Sequence, residues 1–191
     1  QDGVTNGAIY ALLALALVLV FAVTRVIFIP QGELLAWGAR TMAALEAGNF
    51  PGTVWLLVGC GVLTLAVDAF SATGRRTLGR SALWNLAYPL AVAAILWLVP
   101  MASLPTGLRV ILTLAIVVPM GPMLYRVAFQ PVAEAPVLVL LIISVAVHLA
   151  MVGLGLLVFG PEGSRTTPFS EAQVEIGTLV VGGHTIFVIV A

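Results

Sequence analysis

From residue 135 to residue 161 the chain carries no Asp, Glu, Lys or Arg, and between Val137 and Phe159 only Ser144 and His148 are polar. A helix needs roughly 20 predominantly apolar residues to cross a hydrocarbon core of about 30 Å, and this run is long enough. Four further charge-free runs precede it, at 3–24, 47–67, 81–108 and 110–125. Backbone amides find no water in lipid, so a continuous apolar run must satisfy them internally, as a helix does. Strands of a membrane barrel would alternate in polarity instead.

Composition agrees with this reading. Of 191 residues, 61% are hydrophobic and only 8% charged, with eight basic and eight acidic residues. A soluble domain carries about a quarter charged residues. Zero net charge removes the basic surplus that nucleic acid binding needs, so no nucleic acid partner is expected. The single cysteine, Cys60 between Gly59 and Gly61, excludes a disulfide framework and a thiolate metal cluster, and reads as a small packing residue.

The expected fold is therefore all-α, a polytopic transmembrane helix bundle. Spans are predicted at about 6–23, 33–47, 54–69, 83–101, 108–125 and 137–159, with another beginning near 185. The segment 26–48 departs from the pattern because it holds Pro30, Gln31, Glu33 and Arg40. Pro30 bars a continuous helix, and Glu33 would sit in a fresh first turn, where the helix dipole favours an anion. Two readings stand: a loop followed by a slightly polar span, or a broken or re-entrant helix facing protein or a watery cavity. Residues 160–185 read as a small strand or loop region, with alternation from Gln173 to Val181 and turn signals at Gly182 and Gly183.

Arginine placement orients the chain. Arg75, Arg76 and Arg80 share one loop, and Arg25 and Arg126 fall on the same side by alternation. That side is expected to be cytoplasmic, leaving 160–185 extracytoplasmic. Asp68 is expected to reach water at a span end. Trp55, Trp84 and Trp97 fall near predicted span ends, where indole rings favour the interface.

Nothing in the sequence resembles a metal-binding His pair, a phosphate loop or a catalytic triad, so no catalytic residue, metal or resident cofactor is expected. The polar candidates for a translocation path are Asn6, Gln31, Glu33, Ser144 and His148, since polar groups at membrane depth face a bundle interior. Ser144 lies four residues before His148, on the same helical face. An interhelical hydrogen bond is the plainer alternative for His148.

Several stretches resemble one family. The opening Gly3, Gly7, Ile9, Tyr10, Ala11, Leu12 pattern looks like the first span of branched-chain amino acid ABC transporter permeases of the LivH type. The stretch Arg25-Val-Ile-Phe-Ile-Pro-Gln-Gly32-Glu33 is similar to the family's R-I-I-N-F-A-H-G-E, with Phe28 in place of Asn and Gln31 in place of His. Arg126-Val-Ala-Phe-Gln-Pro131 through Pro136 resembles R-L-A-Y-R-P-L-R-G-A-P, with Gln130 and Ala133 replacing arginines. His148 stands where the family has Gln, and Phe159-Gly160-Pro161 matches the end of that span. The middle of the chain, 48–125, holds about two spans more than a usual member.

The resemblance implies an importer in the bacterial inner membrane. A LivM-like second permease would complete the path, with lipid around both. Cytoplasmic ATPase subunits would bind the ATP, and a periplasmic substrate-binding protein would deliver the amino acid. It also implies a single permease domain over 1–191 that continues beyond the given C-terminus. Substrate choice among branched-chain amino acids, urea and short amides stays open. So do two other classes: a secondary transporter or channel working without an ATPase, and a membrane subunit that only anchors a complex.

Overall fold

A computed structural model describes residues 2–70, 83–162, 173–176 and 179–182. The arginine loop holding Arg75, Arg76 and Arg80, the turn chemistry at 163–168 and the span expected from about 185 lie outside the described residues. The chain divides into two compact units, Gln1–Phe28 with Thr167–Ala191, and Ile29–Thr166.

In the first unit, α1 spans Asp2–Thr24, a helix with no charged residue after Asp2. It ends where Thr24 folds back: its Oγ1 donates to the Val20 carbonyl at 2.7 Å and accepts from the Val26 amide at 3.2 Å. Arg25 then takes a left-handed conformation, φ 57°, which costs a non-glycine residue about 1–2 kcal/mol. Strands β1, Gln173–Ile176, and β2, Leu179–Gly182, pair antiparallel with Gln173 opposite Gly182.

In the second unit, Pro30 immediately precedes α2, Gln31–Glu46. Next come α3, Thr53–Phe70, a single π-helical turn at Leu83–Ala87, and α4, Tyr88–Leu98. A short 3-10 turn, Met101–Ser103, leads to α5, Thr106–Val117. After it, α6, Met120–Leu124, continues through a second π-helical turn at Tyr125–Phe129 and a 3-10 turn at Gln130–Val132. The unit's last helix, α7, spans Val137–Phe159. Its core joins Trp37 and Leu45 of α2, Val54 and Leu57 of α3, Val92 and Leu96 of α4, and Ile116 of α5. Met101, Met120, Met123 and Met151 fill the spaces between helices, a use suited to an unbranched, adaptable side chain.

Among the described residues, four helical stretches are long and apolar enough to cross a membrane: Asn6–Thr24, Thr53–Phe70, Thr106–Val132 and Val137–Phe159. Two of the six segments expected to enter the membrane form helices shorter than the four membrane-length ones. Helix α2, expected at 33–47, has 16 residues and starts directly after Pro30, about 24 Å at 1.5 Å per residue. The segment expected to run to residue 101 ends at Leu98, since Val99 precedes Pro100 and is extended, φ −96° and ψ 130°. The span expected at 108–125 instead runs on to Val132, with helical geometry interrupted around Pro119.

Prolines shape the packing as well as the boundaries. Pro119 has no N–H for the Ala115 carbonyl four residues earlier, and the Tyr88 hydroxyl donates to that carbonyl at 2.7 Å, tying α4 to α5. Pro89 likewise offers the Asn85 carbonyl no amide. That oxygen sits where a Cβ on Gly61 of α3 would be, so glycine is required for the approach. Between α2 and α3, Thr41 donates to the Trp37 carbonyl and its oxygen meets that of Thr53, both contacts at 2.6 Å and both threonines fully buried.

Candidate functional site

Helix α2 starts afresh after Pro30, so Gln31 and Glu33 stand in its first turn, where a carboxylate is favoured by the dipole. Residues 33, 37 and 40 follow at helical spacing and share one face. On α7, residues 144, 148, 155 and 159 form a matching stripe. The two stripes meet in order: the Ile29 amide donates to Ser144 Oγ at 3.0 Å, and Glu33 Oε1 faces His148 Nδ1 at 3.5 Å. Trp37 packs at Gly155, and Arg40 lies over Phe159. The helices therefore run parallel. Three helical segments, α3, α4 and the α5–α6 stretch, lie between them in sequence, and an up-and-down path through three returns the chain in its starting direction.

The Glu33–His148 contact is electrostatic proximity more than a formed hydrogen bond. At 3.5 Å it is long for one, and His148 Nδ1 is buried without a hydrogen-bond partner. Trp37 is 3% exposed, and its Nε1 also makes no hydrogen bond. A Cβ at Gly155 would stand 2.9 Å from that nitrogen, so glycine lets the indole close against α7. Arg40 donates to the carbonyls of Phe159 at 3.3 Å and of Glu162, and its guanidinium lies 5.3 Å from the Phe159 ring centroid. These carbonyls are at the negative end of the α7 dipole, a favourable place for a cation. Glu33, Ala36, Trp37, Arg40, Val152, Gly155, Leu156, Phe159 and Gly160 line an open pocket of about 200 Å³.

A larger cavity of about 340 Å³ lies by Trp84, Asn85, Tyr88, Pro119, Pro122, Met123 and Arg126. Its one charged member, Arg126, is held by Asp68, with Nε 3.1 Å from Oδ1. The smaller pocket is the better candidate, because Glu33 and Arg40, an acid and a base, both line it.

Of the residues singled out in the sequence, Glu33 and His148 face each other, and Ser144 anchors the start of the same seam. Gln31 is half-buried at the head of α2. Asn6 is exposed on α1, in the other unit. Asp68 corrects an expectation: it is 3% exposed and ion-paired, where water had been expected around it. Arg126, expected in a loop, belongs to the π-helical turn that prolongs a membrane-length helix, and Pro131 is exposed in the 3-10 turn after it. Among the described residues, nothing within 4 Å demands glycine at Gly3, Gly7 or Gly32, and Tyr10 is 71% exposed. Trp37 went unnoticed in the sequence, although its spacing from Glu33 on one helical face was the available signal, and Arg40 stood out only as a charge in an apolar segment. Among the described residues no three His, Cys, Asp or Glu side chains converge on a metal position.

No family model matches the chain, and no curated protein or solved structure matches it either.

Proposed function

We propose that the chain is a permease subunit of an ABC importer, moving branched-chain amino acids or related small polar solutes across the bacterial inner membrane. The observation that carries a transport reading is the polar seam of α2 and α7, with Glu33 3.5 Å from His148 beside a lined cavity. Ionisable residues on apolar spans are expensive and mark solute pathways. A helix that starts at Gln31, with its N-terminus beside that seam, suits a polar solute site. The ABC class rests on the ordered motif resemblance around Arg25–Glu33 and Arg126–Pro131. In that reading a LivM-like permease shares the path, partner ATPases hold the ATP, and a periplasmic binding protein delivers the solute.

The test is uptake of labelled leucine, urea and propionamide by cells with and without the gene. Uptake that depends on the gene and stops on ATP depletion with the proton gradient intact supports the importer. Gene-dependent uptake that survives ATP depletion and stops with an uncoupler makes the protein a secondary transporter. No gene-dependent uptake of any of the three solutes overturns the proposal for this substrate range.

A further inference from the structure

We propose that the groove between the head of α4 and the α6 stretch ending in Arg126 holds an anionic membrane phospholipid, with its phosphodiester on Arg126 and an acyl chain along the proline-lined wall. The inference does not depend on the transport reading and needs only that these helices stand in a membrane.

Residues 119, 122, 123 and 126 follow at helical spacing and form one wall of the groove. Trp84, Asn85 and Tyr88 form the other. Pro119, Pro122 and Met123 make the first wall apolar until it ends at the Arg126 guanidinium. The groove has a volume of about 340 Å³, and Trp84 and Pro122 are exposed, so it opens outward. An apolar channel with a cation at one end is the complement of a lipid, whose chain is apolar and whose phosphate is an anion.

Asp68 sets the geometry of the polar end. Its Oδ1 takes Arg126 Nε at 3.1 Å, while Oδ2 makes no hydrogen bond, so the pair is not the two-pronged form. A guanidinium carries five N–H donors, more than one carboxylate oxygen can occupy. The Arg126 side chain is 37% exposed and lines the groove. Its remaining donors suit the two non-bridging oxygens of a phosphodiester, which a guanidinium takes as a fork.

Position and lining specify the ligand further. The helical stretch Thr106–Val132 has 27 residues, about 40 Å at 1.5 Å per residue, and exceeds a hydrocarbon core of about 30 Å. Arg126 stands roughly 9 Å before its end, at headgroup level when the other end begins at the opposite boundary. Exposed Trp84 lines the same groove, and indole rings favour that level. In the orientation read from the arginines this is the cytoplasmic leaflet, where anionic lipids concentrate. Among the described residues no carboxylate lines the groove. A headgroup ammonium would find no acid there, which favours phosphatidylglycerol over phosphatidylethanolamine. Free phosphate would leave the apolar wall unused.

The experiment titrates the full-length protein in detergent with dioctanoyl phosphatidylglycerol, dioctanoyl phosphatidylethanolamine and inorganic phosphate. Native mass spectrometry counts the retained lipid, and melting curves follow stability. Retention of one phosphatidylglycerol is expected, with a raised melting temperature. Phosphatidylethanolamine should be held several-fold more weakly, and millimolar phosphate should not compete. Arg126→Gln should weaken phosphatidylglycerol about tenfold, and Trp84→Ala should weaken it less. If Arg126→Gln does not fold, the neutral pair of Asp68→Asn with Arg126→Gln serves instead, and its melting temperature should no longer respond to phosphatidylglycerol. No retained lipid, equal retention of the two lipids, or retention indifferent to the Arg126 variants overturns the site. Displacement by phosphate also overturns it, and makes the groove a site for a free anion.

Discussion

Glu33 Oε1 of α2 stands 3.5 Å from His148 Nδ1 of α7, across 115 positions of sequence and between two helices that run parallel. The side chains are 22% and 34% exposed respectively, so the pair sits at a partly open seam and not in a dry core. This relationship gives the first prediction. A double-mutant cycle with Glu33→Gln and His148→Ala should show a coupling of about 0.5–1 kcal/mol, small because both groups are partly exposed. Thermal unfolding of the protein in nanodiscs measures it, and additive single effects would show that the contact contributes nothing to stability.

Asp68 and Arg126 form a drier pair, with Asp68 at 5% side-chain exposure and Arg126 at 37%. Arg126→Ala leaves a buried carboxylate without its partner. A cost of about 2 kcal/mol is expected, below the 3–5 for a wholly buried pair because Arg126 still meets the surroundings. Adding Asp68→Asn should restore much of the loss. Unfolding midpoints of the single and double variants decide, and a double variant worse than Arg126→Ala counts against the pairing.

Tyr88 donates to the Ala115 carbonyl that Pro119 leaves without an amide. Tyr88→Phe should therefore destabilise the protein by about 1–2 kcal/mol. In a Pro119→Ala background a backbone amide is available to that carbonyl, and the same substitution should cost clearly less. Equal costs in both backgrounds, read from melting curves, would contradict this account of the proline.

Gly61 and Gly59 lie two positions apart on α3 and should respond oppositely. A Cβ at Gly61 would overlap the Asn85 carbonyl oxygen, whereas nothing lies within 4 Å at Gly59. Gly61→Ala should cost about 1–3 kcal/mol through forced separation of α3 from the Leu83–Ala87 turn. Gly59→Ala should be neutral or stabilising by up to about 1 kcal/mol from helix propensity. Comparing the two melting temperatures is sufficient, and similar losses would refute the distinction.

Much of the helix layout could be read along the chain. The limits of α7, Val137 and Phe159, coincide with the expected span, because proline and glycine flank a run whose apolarity needs no partner to be recognised. The start of α2 was visible in Pro30 for the same local reason. The expected end of α4 lies past Leu98, because apolarity continues to Met101 while Pro100 forces Val99 into an extended conformation. Asp68 was misjudged because a carboxylate at a helix end looks hydrated until its neighbour across the bundle is known. Of the seam, the sequence offered the polar residues and the charge of Arg40, but not Trp37, which reads as an ordinary residue of a short helix.

By itself, then, the sequence determined where helices form, where they break and that several are long enough for a membrane. Hydropathy and missing amides are properties of single residues and their near neighbours. Only the tertiary structure decided which polar groups meet: Glu33 with His148, Asp68 with Arg126, Tyr88 with the carbonyl Pro119 leaves open. Those pairings depend on how each helix is rotated about its axis and which neighbour it packs against. In helices apolar on nearly every face, the residue pattern marks no preferred side, and close-packed contacts such as Trp37 at Gly155 choose it.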